Sequence, residues 1–279
     1  MKLRGLAAVG LVAVAACGAG TASPSTPAAT GTATPPPATS GAVNLTIFGA
    51  ASLKGVLDEA KTEYETANPS TRLAISTDSS SALETQIEQG APADVFLSAD
   101  TNAPQALIDK SLASGSLVVF AGNKLTIVIP TDNPGSVSTP KDLARAGLKV
   151  VAAGDDVPIT KYANQLIANL AALPGYPTDF AATYAANVVS KEDNVKAVIA
   201  KIELGEGDAA IAYVTDAKAS PKVTTVAVDP DSANVAATYA GVVVKASTNG
   251  DAAKAFLDWF AGPAGQAILA GFGFLPPPA

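Results

Sequence analysis

Asp78-Ser79-Ser80-Ser81-Ala82-Leu83-Glu84-Thr85-Gln86-Ile87-Glu88-Gln89-Gly90-Ala91-Pro92-Ala93-Asp94-Val95-Phe96-Leu97-Ser98-Ala99-Asp100 is the stretch whose reading decides the fold. Three serines stand directly before a helical pattern whose apolar positions are Leu83 and Ile87. Gly90 and Pro92 stop that helix, and Val95-Phe96-Leu97 then reads as a short buried strand. Serine before an apolar-periodic run caps a helix, because its side-chain oxygen satisfies one of the first free amides. One cap would do, so three serines leave hydroxyls and amides to spare. A helix N-terminus carries roughly half an elementary positive charge on N–H groups that lack partners within the helix. Such a place can hold an anion without lysine or arginine. Taken alone, the segment is also compatible with a plainly capped helix.

A second helix start of the same kind lies upstream. Val43 to Phe48 is predicted as a strand from its β-branched content and partial alternation. Gly49-Ala50-Ala51-Ser52 ends it, and Leu53 opens a helix through Val56, Leu57, Ala60 and Tyr64. Leu73 to Ser76 supplies the strand leading into the serines. Ser52 thus occupies the same place as Ser79 to Ser81, after a strand and before a helix. In parallel α/β folds ligands bind where strands end and helices begin. Two hydroxyl-bearing helix starts on neighbouring strands would point at one spot.

Downstream, a helix is predicted from about Ala103 to Lys110, and strands at Leu117–Phe120 and Leu125–Pro130 around a turn at Gly122-Asn123. Pro140 to Ala146 reads as a short helix and Lys149 to Ala152 as a buried strand. Pro158 suits the first position of the long amphipathic helix carrying Tyr162, Leu166, Ile167, Leu170 and Leu173, because its missing N–H would be unpaired there anyway. Ala185 to Val189 is predicted as a strand, and Asp193-Asn194 as the cap of a helix through Val195, Val198, Ile199 and Ile202. Strands follow at Ala209–Tyr213, Val223–Val228 and Tyr239–Val244, then helices at Asp251–Phe260 and Gly262–Ala270. The plan is α/β, two lobes joined by two crossing strands, each lobe a mixed, mainly parallel sheet flanked by helices. Residues 43–123 with 242–279 form the first lobe and 124–241 the second.

Composition narrows the chemistry. The 279 residues are 48% hydrophobic, carry a net charge of −7 and have no basic run, which argues against a nucleic-acid partner. Histidine is absent, which removes Ser-His and Cys-His catalysis and His-ligated metal sites together. Residues 1–16 read as a signal peptide: a basic start, Met1-Lys2-Leu3-Arg4, then an apolar run from Leu6 to Ala16. The single cysteine, Cys17, follows in Val14-Ala15-Ala16-Cys17, which is similar to the lipobox of bacterial lipoproteins. Lipidation of Cys17 is expected, with ordinary small-residue cleavage as the alternative. Residues 17–42 then form a Thr/Pro/Ala tether without a charged residue, too poor in apolar surface to offset the entropy of ordering. The expected location is the outer face of the cell membrane.

Together these residues resemble the extracytoplasmic molybdate-binding component of ABC importers, a family with the type II periplasmic binding protein fold. The resemblance runs from Val43 to about Phe274. It is carried by Ala50-Ala51-Ser52-Leu53, by Ser79-Ser80-Ser81 through Ser98-Ala99-Asp100, by Val157-Pro158 with Tyr162-Ala163, by Asp193-Asn194-Val195, and by Tyr213 with Asp216-Ala217. Gly262-Pro263 and Gly271-Phe272-Gly273-Phe274 fit as well. The resemblance implies that Ser52 and Ser80 each give a hydroxyl and a backbone amide to the ligand. It implies a backbone N–H from Val195, the phenolic hydroxyl of Tyr213, and a backbone amide from the loop after Val157-Pro158. That loop reads Ile159-Thr160 where the family usually has Ala-Gly, and Ile159 still supplies an amide. Before the resemblance, Tyr213 at a strand end reads more readily as a core aromatic than as a ligand. Asp78, Asp94 and Asp100 are expected in capping and turn roles rather than at a cation site.

The implied activity is reversible capture of molybdate or tungstate and delivery to an ABC permease by a monomer without a cofactor. Sulfate and ferric iron are the alternative ligands for this fold. A serine hydrolase using Ser52 or Ser80 is the alternative from another class, but with no histidine and no Ser-x-x-Lys nothing would activate the hydroxyl.

Overall fold

The computed structural model describes residues 42–278; the leader, Cys17 and the tether through residue 41 lie outside the described residues. The first part of the chain alternates β1 (Val43–Ala50), α1 (Lys54–Ala67), β2 (Thr71–Asp78), α2 (Ser80–Glu88), β3 (Val95–Ser98) and α3 (Asn102–Asp109). β1 lies between β2 and β3 and is parallel to both. It is covered on both faces, which explains its weak alternation: Leu45 and Ile47 enter one core cluster while Phe48 enters another with Leu83, Phe96 and Leu107.

β4 (Ala113–Pro130) then runs for 18 residues without interruption. Beyond it come β5 (Val150–Ala153), α4 (Pro158–Ala171), α5 (Phe180–Asn187), β6 (Val188–Glu192), α6 (Val195–Glu203), β7 (Ala209–Tyr213), α7 (Val214–Lys218) and β8 (Val223–Val226). β9 (Ala236–Val244), α8 (Gly250–Ala261) and α9 (Pro263–Phe272) close the chain. The strand order is β2-β1-β3-β9-β4-β7-β5-β6, with β8 paired to β4. β4 pairs with β9 through Lys124 and with β7 and β8 from Leu125 onward. It therefore belongs to both halves of the sheet. β5 is parallel to β6 and β7, so each half contains a parallel triplet, whereas every pairing that involves β4 or β9 is antiparallel.

Three expectations are corrected. The turn at Gly122-Asn123 does not exist: Gly122 pairs with Thr238 and Asn123 with Ala237 inside the continuous β4. Gly122 is small for a different reason. A Cβ there would stand 3.3 Å from the Leu275 Cβ and 3.2 Å from the Pro276 carbonyl, because the C-terminal segment bridges to this point. The strand predicted from Ala185 is helix through Asn187, since the alanine-rich run Phe180–Asn187 forms α5, and the strand starts at Val188. The supposed Ile159 loop is the first turn of α4, with Val157 at the N-cap and Pro158 at the first position. Thr160 fits there because its hydroxyl donates to the Ala153 carbonyl at 2.9 Å.

Close packing of the crossing strands gives a direct test. A Cβ on Gly241 of β9 would meet the Leu97 Cδ2 at 2.7 Å and the Phe96 carbonyl at 3.0 Å. Gly241→Val is expected to cost about 1–3 kcal/mol by overpacking. That corresponds to a Tm lower by roughly 2–12 °C in thermal denaturation.

Candidate functional site

The loops after β1 and β2 bring two serines to one place by different local devices. After β1, residues Ala51–Leu53 form a single 3-10 turn that buries Ser52. Its Oγ lies 3.0 Å from the Tyr239 hydroxyl on β9. After β2, the three serines divide the work. Ser79 is the cap, its Oγ accepting from the Ala82 N–H at 3.3 Å. That releases Ser80, the first residue of α2, whose Oγ accepts from the Ala99 N–H at 3.0 Å and which is 1% exposed. A first-turn amide such as that of Ser80 has no acceptor inside its own helix.

The second half contributes three further helix starts. Val195 is the first residue of α6, capped by Asn194, whose Oδ1 accepts from the Ala197 N–H at 3.1 Å. Asn194 also donates through Nδ2 to Asp78 Oδ1 at 3.1 Å, tying the start of α6 to the end of β2. Ile159 is the second residue of α4. Tyr213 ends β7 at the N-cap of α7, is 1% exposed, and its hydroxyl has no hydrogen-bond partner among the described residues. A buried hydroxyl left unpaired costs free energy, so its position calls for an explanation.

Ser52, Ser80, Ile159, Val195 and Tyr213 all line one small cavity, together with small neighbours such as Ala50, Ala51 and Ala99. No charged side chain lines it among the described residues. The nearest lysines in sequence are engaged elsewhere. Lys54 Nζ lies 2.9 Å from Asp58 Oδ2, Lys196 Nζ 2.8 Å from Asp216 Oδ1, and Lys161 Nζ 3.9 Å from Asp100 Oδ2. Burial pushes the Tyr213 phenol well above its ordinary value, helped by its neighbours Tyr239, Tyr162, Asp216 and Asp100. Tyr213 is therefore a neutral donor throughout the physiological range.

An adjoining groove shares Ser79, Val157 and Asn194 with the cavity and is lined by Asp78, Asp156, Glu192, Asp193 and Lys191. Lys191 pairs with Asp155 at 2.6 Å. A larger depression of about 1010 Å³ between α4, α5 and β5 is lined mostly by alanine, valine and isoleucine and lacks convergent donors. The carboxylates of the stretch from Asp78 to Asp100 have structural partners. Asp94 accepts from the Thr46 N–H at 2.7 Å, and Asp100 Oδ1 accepts from the Ser98 hydroxyl at 2.9 Å and the Ala103 N–H at 3.1 Å.

Two contributors escaped sequence reading. Tyr239 comes to Ser52 only through the pairing of β9 with β3 and of β3 with β1, and Ala99 comes to Ser80 only through the turn after β3. Neither has a local signal. Tyr162, Tyr213 and Tyr239 also cluster, with ring centroids 6.3 and 5.7 Å apart. The Tyr239 hydroxyl is paired with Ser52, and that of Tyr162 accepts from the Thr238 N–H at 3.3 Å, which leaves only Tyr213 free.

A sheet in two halves, joined by two crossing strands and with helix N-termini converging on one small cavity, defines a solute-binding protein of the type II periplasmic fold. The chain belongs to the bacterial extracellular solute-binding protein family, which matches residues 45–275. The molybdate-binding protein ModA of Mycobacterium tuberculosis is 33% identical over 240 residues, covering 86% of this chain and 87% of that protein. The periplasmic molybdate-binding protein of Azotobacter vinelandii superposes with a TM-score of 0.71 at 24% identity, covering 84% of this chain and all of that one. The sulfate-binding protein SubI of Mycobacterium tuberculosis superposes with a TM-score of 0.75 at 20% identity, over 84% of this chain and 87% of that one. The fold is therefore shared by proteins named for different oxyanions.

Asp216 supplies a test of the electrostatics beneath the site. Burial raises its carboxyl above the ordinary value, and Lys196 acts in the opposite direction. In Lys196→Met that opposition is lost and the folded-state value rises further above the unfolded one. A group raised on folding gives full stability at low pH and loses it as pH climbs through the folded value. The Tm deficit of Lys196→Met relative to the parent is expected to widen as pH rises from about 4 to about 8. A deficit constant across that range would contradict this account.

Proposed function

We propose that the chain captures molybdate or tungstate outside the cytoplasm and hands it to an ABC permease, acting as a binder rather than an enzyme and without a cofactor. The observation that carries the reading is the convergence of Ser52, Ser80, Ile159, Val195 and Tyr213 on one uncharged cavity, with the Tyr213 hydroxyl buried and unpaired. In this reading the two serines give hydroxyls and amides, Ile159 and Val195 give amides, and Tyr213 gives its phenolic proton. Residues 43–123 with 242–279 form one lobe and 124–241 the other, and they close on the anion. Every group offered is a donor, which suits an anion that arrives without a proton. A hydrogen bond to a charged acceptor contributes roughly 1.5–3 kcal/mol, and micromolar binding needs about 8 kcal/mol. Several such bonds suffice after the cost of closure.

Ferric iron is disfavoured by the same site, since Tyr213 is held as a neutral phenol and the other two clustered tyrosines are engaged. Sulfate is the sharper competitor, being another unprotonated dianion, and in this reading its rejection rests on cavity size and hydroxyl placement. Calorimetric titration with molybdate, tungstate, sulfate and phosphate is the deciding experiment. Sub-micromolar binding is expected for the first two only. Ser52→Ala, Ser80→Ala and Tyr213→Phe should each weaken it by roughly 10- to 150-fold, the equivalent of one charged hydrogen bond. Sulfate bound as tightly as molybdate would reassign the ligand.

The full chain acts as a monomer held at the membrane by a lipid on Cys17, with the tether giving it reach. Cys17→Ala is expected to move the protein from the membrane fraction to the soluble fraction on cell fractionation while leaving molybdate affinity unchanged. Retention in the membrane fraction would overturn the lipid assignment.

A further inference from the structure

Asn194 does more than cap a helix. Its Oδ1 accepts the Ala197 N–H at 3.1 Å, and a backbone N–H can only donate, so the oxygen end of the carboxamide is fixed. The Nδ2 end is left to face away from α6, and it donates to Asp78 Oδ1 at 3.1 Å. The same carboxylate oxygen accepts the Ser79 N–H at 2.7 Å, which holds it at the start of α2. Asparagine is the cap that allows this link. Aspartate or serine would cap α6 as well. An ionised aspartate, however, has no proton to offer a second carboxylate, and a serine oxygen would stop one bond short of Asp78.

The bond joins parts of the sheet that no ladder brings together. Asp78 ends β2 and Asn194 follows β6, and those strands stand at opposite ends of the strand order. β2 is paired with β1 and β6 with β5, each within its own half. The link spans 116 positions of sequence and exists only where the ends of these two strands meet at the cavity rim. Asn194 lines both the cavity and the acidic groove, whereas Asp78 lines only the groove, so the bond lies on the wall between them. Asp78 directly precedes Ser79 and Ser80, and Asn194 directly precedes Val195. The donors of one half are thereby tied to a donor of the other. Lys161 and Asp100 also face each other across the halves, but at 3.9 Å they are beyond hydrogen-bond distance.

We infer that the Asp78–Asn194 hydrogen bond is a latch made when the two halves close on the cavity, and that Asn194 is a positioning residue which sets how long a bound anion is held. Opening the cleft parts the ends of β2 and β6 and breaks the bond. A contact made only after closure slows release without speeding entry. The inference rests on the reading of the cavity as an oxyanion site.

Calorimetric titration and stopped-flow kinetics with molybdate test it on the full chain, Asn194→Ser, Asp78→Ala and the double variant. Melting curves of the unliganded proteins verify that each is folded. Asn194→Ser keeps a cap oxygen and removes the donor to Asp78, so its Tm is expected within about 2 °C of the parent's. It is expected to weaken molybdate binding about tenfold, with the dissociation rate raised by that factor and the association rate changed by less than about twofold. In the Asp78→Ala background the same substitution should change the affinity by less than about twofold, because its partner is already gone. Equal weakening in both backgrounds, a loss confined to the association rate, or no loss at all overturns the latch while leaving the oxyanion site intact. A parent chain that binds neither molybdate nor tungstate overturns both.

Discussion

The antiparallel pairing of β4 with β9 is the seam on which the rest depends. One strand of 18 residues belongs to both halves of the sheet, and its partner returns the chain beside it. Each parallel triplet is anchored to that seam, β3 through β9 on one side and β7 through β4 on the other. The consequence is positional. The ends of β1, β2, β5, β6 and β7 are fixed relative to one another by main-chain hydrogen bonds, so the helix starts that follow them must face a common centre. Tyr239 and Asn123 sit on the seam itself, beneath that centre.

Why such a site dispenses with cations follows from what burial does to charge. A lysine brought into a small dry cavity would pay a desolvation cost unless permanently paired, and the neighbouring Lys54, Lys161 and Lys196 are drawn aside by Asp58, Asp100 and Asp216. Amides at helix ends face no such difficulty, because they are unpartnered by construction and carry only partial charge. Hydroxyls add direction. The split between Ser79 and Ser80 shows the principle at the scale of a single turn: the cap needs one oxygen, and satisfying it frees the next residue to line the cavity.

Much of this was legible from residue types. The serine run, the small residues after β1 and the Asp193-Asn194 cap all mark helix starts, and each one lies where its local chemistry predicts. The failures have physical causes. Gly122-Asn123 resembles a turn, but the glycine makes room for the C-terminal segment and the asparagine serves a buried network. Phe180–Asn187 was obscured because valines just beyond it suggest a strand, while its alanines favour helix. Tyr239 was invisible because nothing local distinguishes a tyrosine whose hydroxyl meets a serine 187 positions away. Long-range partners of this kind are set by strand register, which sequence patterns constrain only weakly.

The acidic groove beside the cavity carries a kinetic consequence. Asp78, Asp156, Glu192 and Asp193 line that groove with a single lysine, Lys191, and the chain as a whole is negative. Instead of being steered inward, an arriving dianion climbs a repulsive potential before it meets the helix ends. The Debye length is about 10 Å at 0.1 M salt and about 30 Å at 0.01 M, so added electrolyte flattens that climb. Encounter should therefore quicken with ionic strength, the reverse of the behaviour of a basic funnel, while the dry grip inside is scarcely touched.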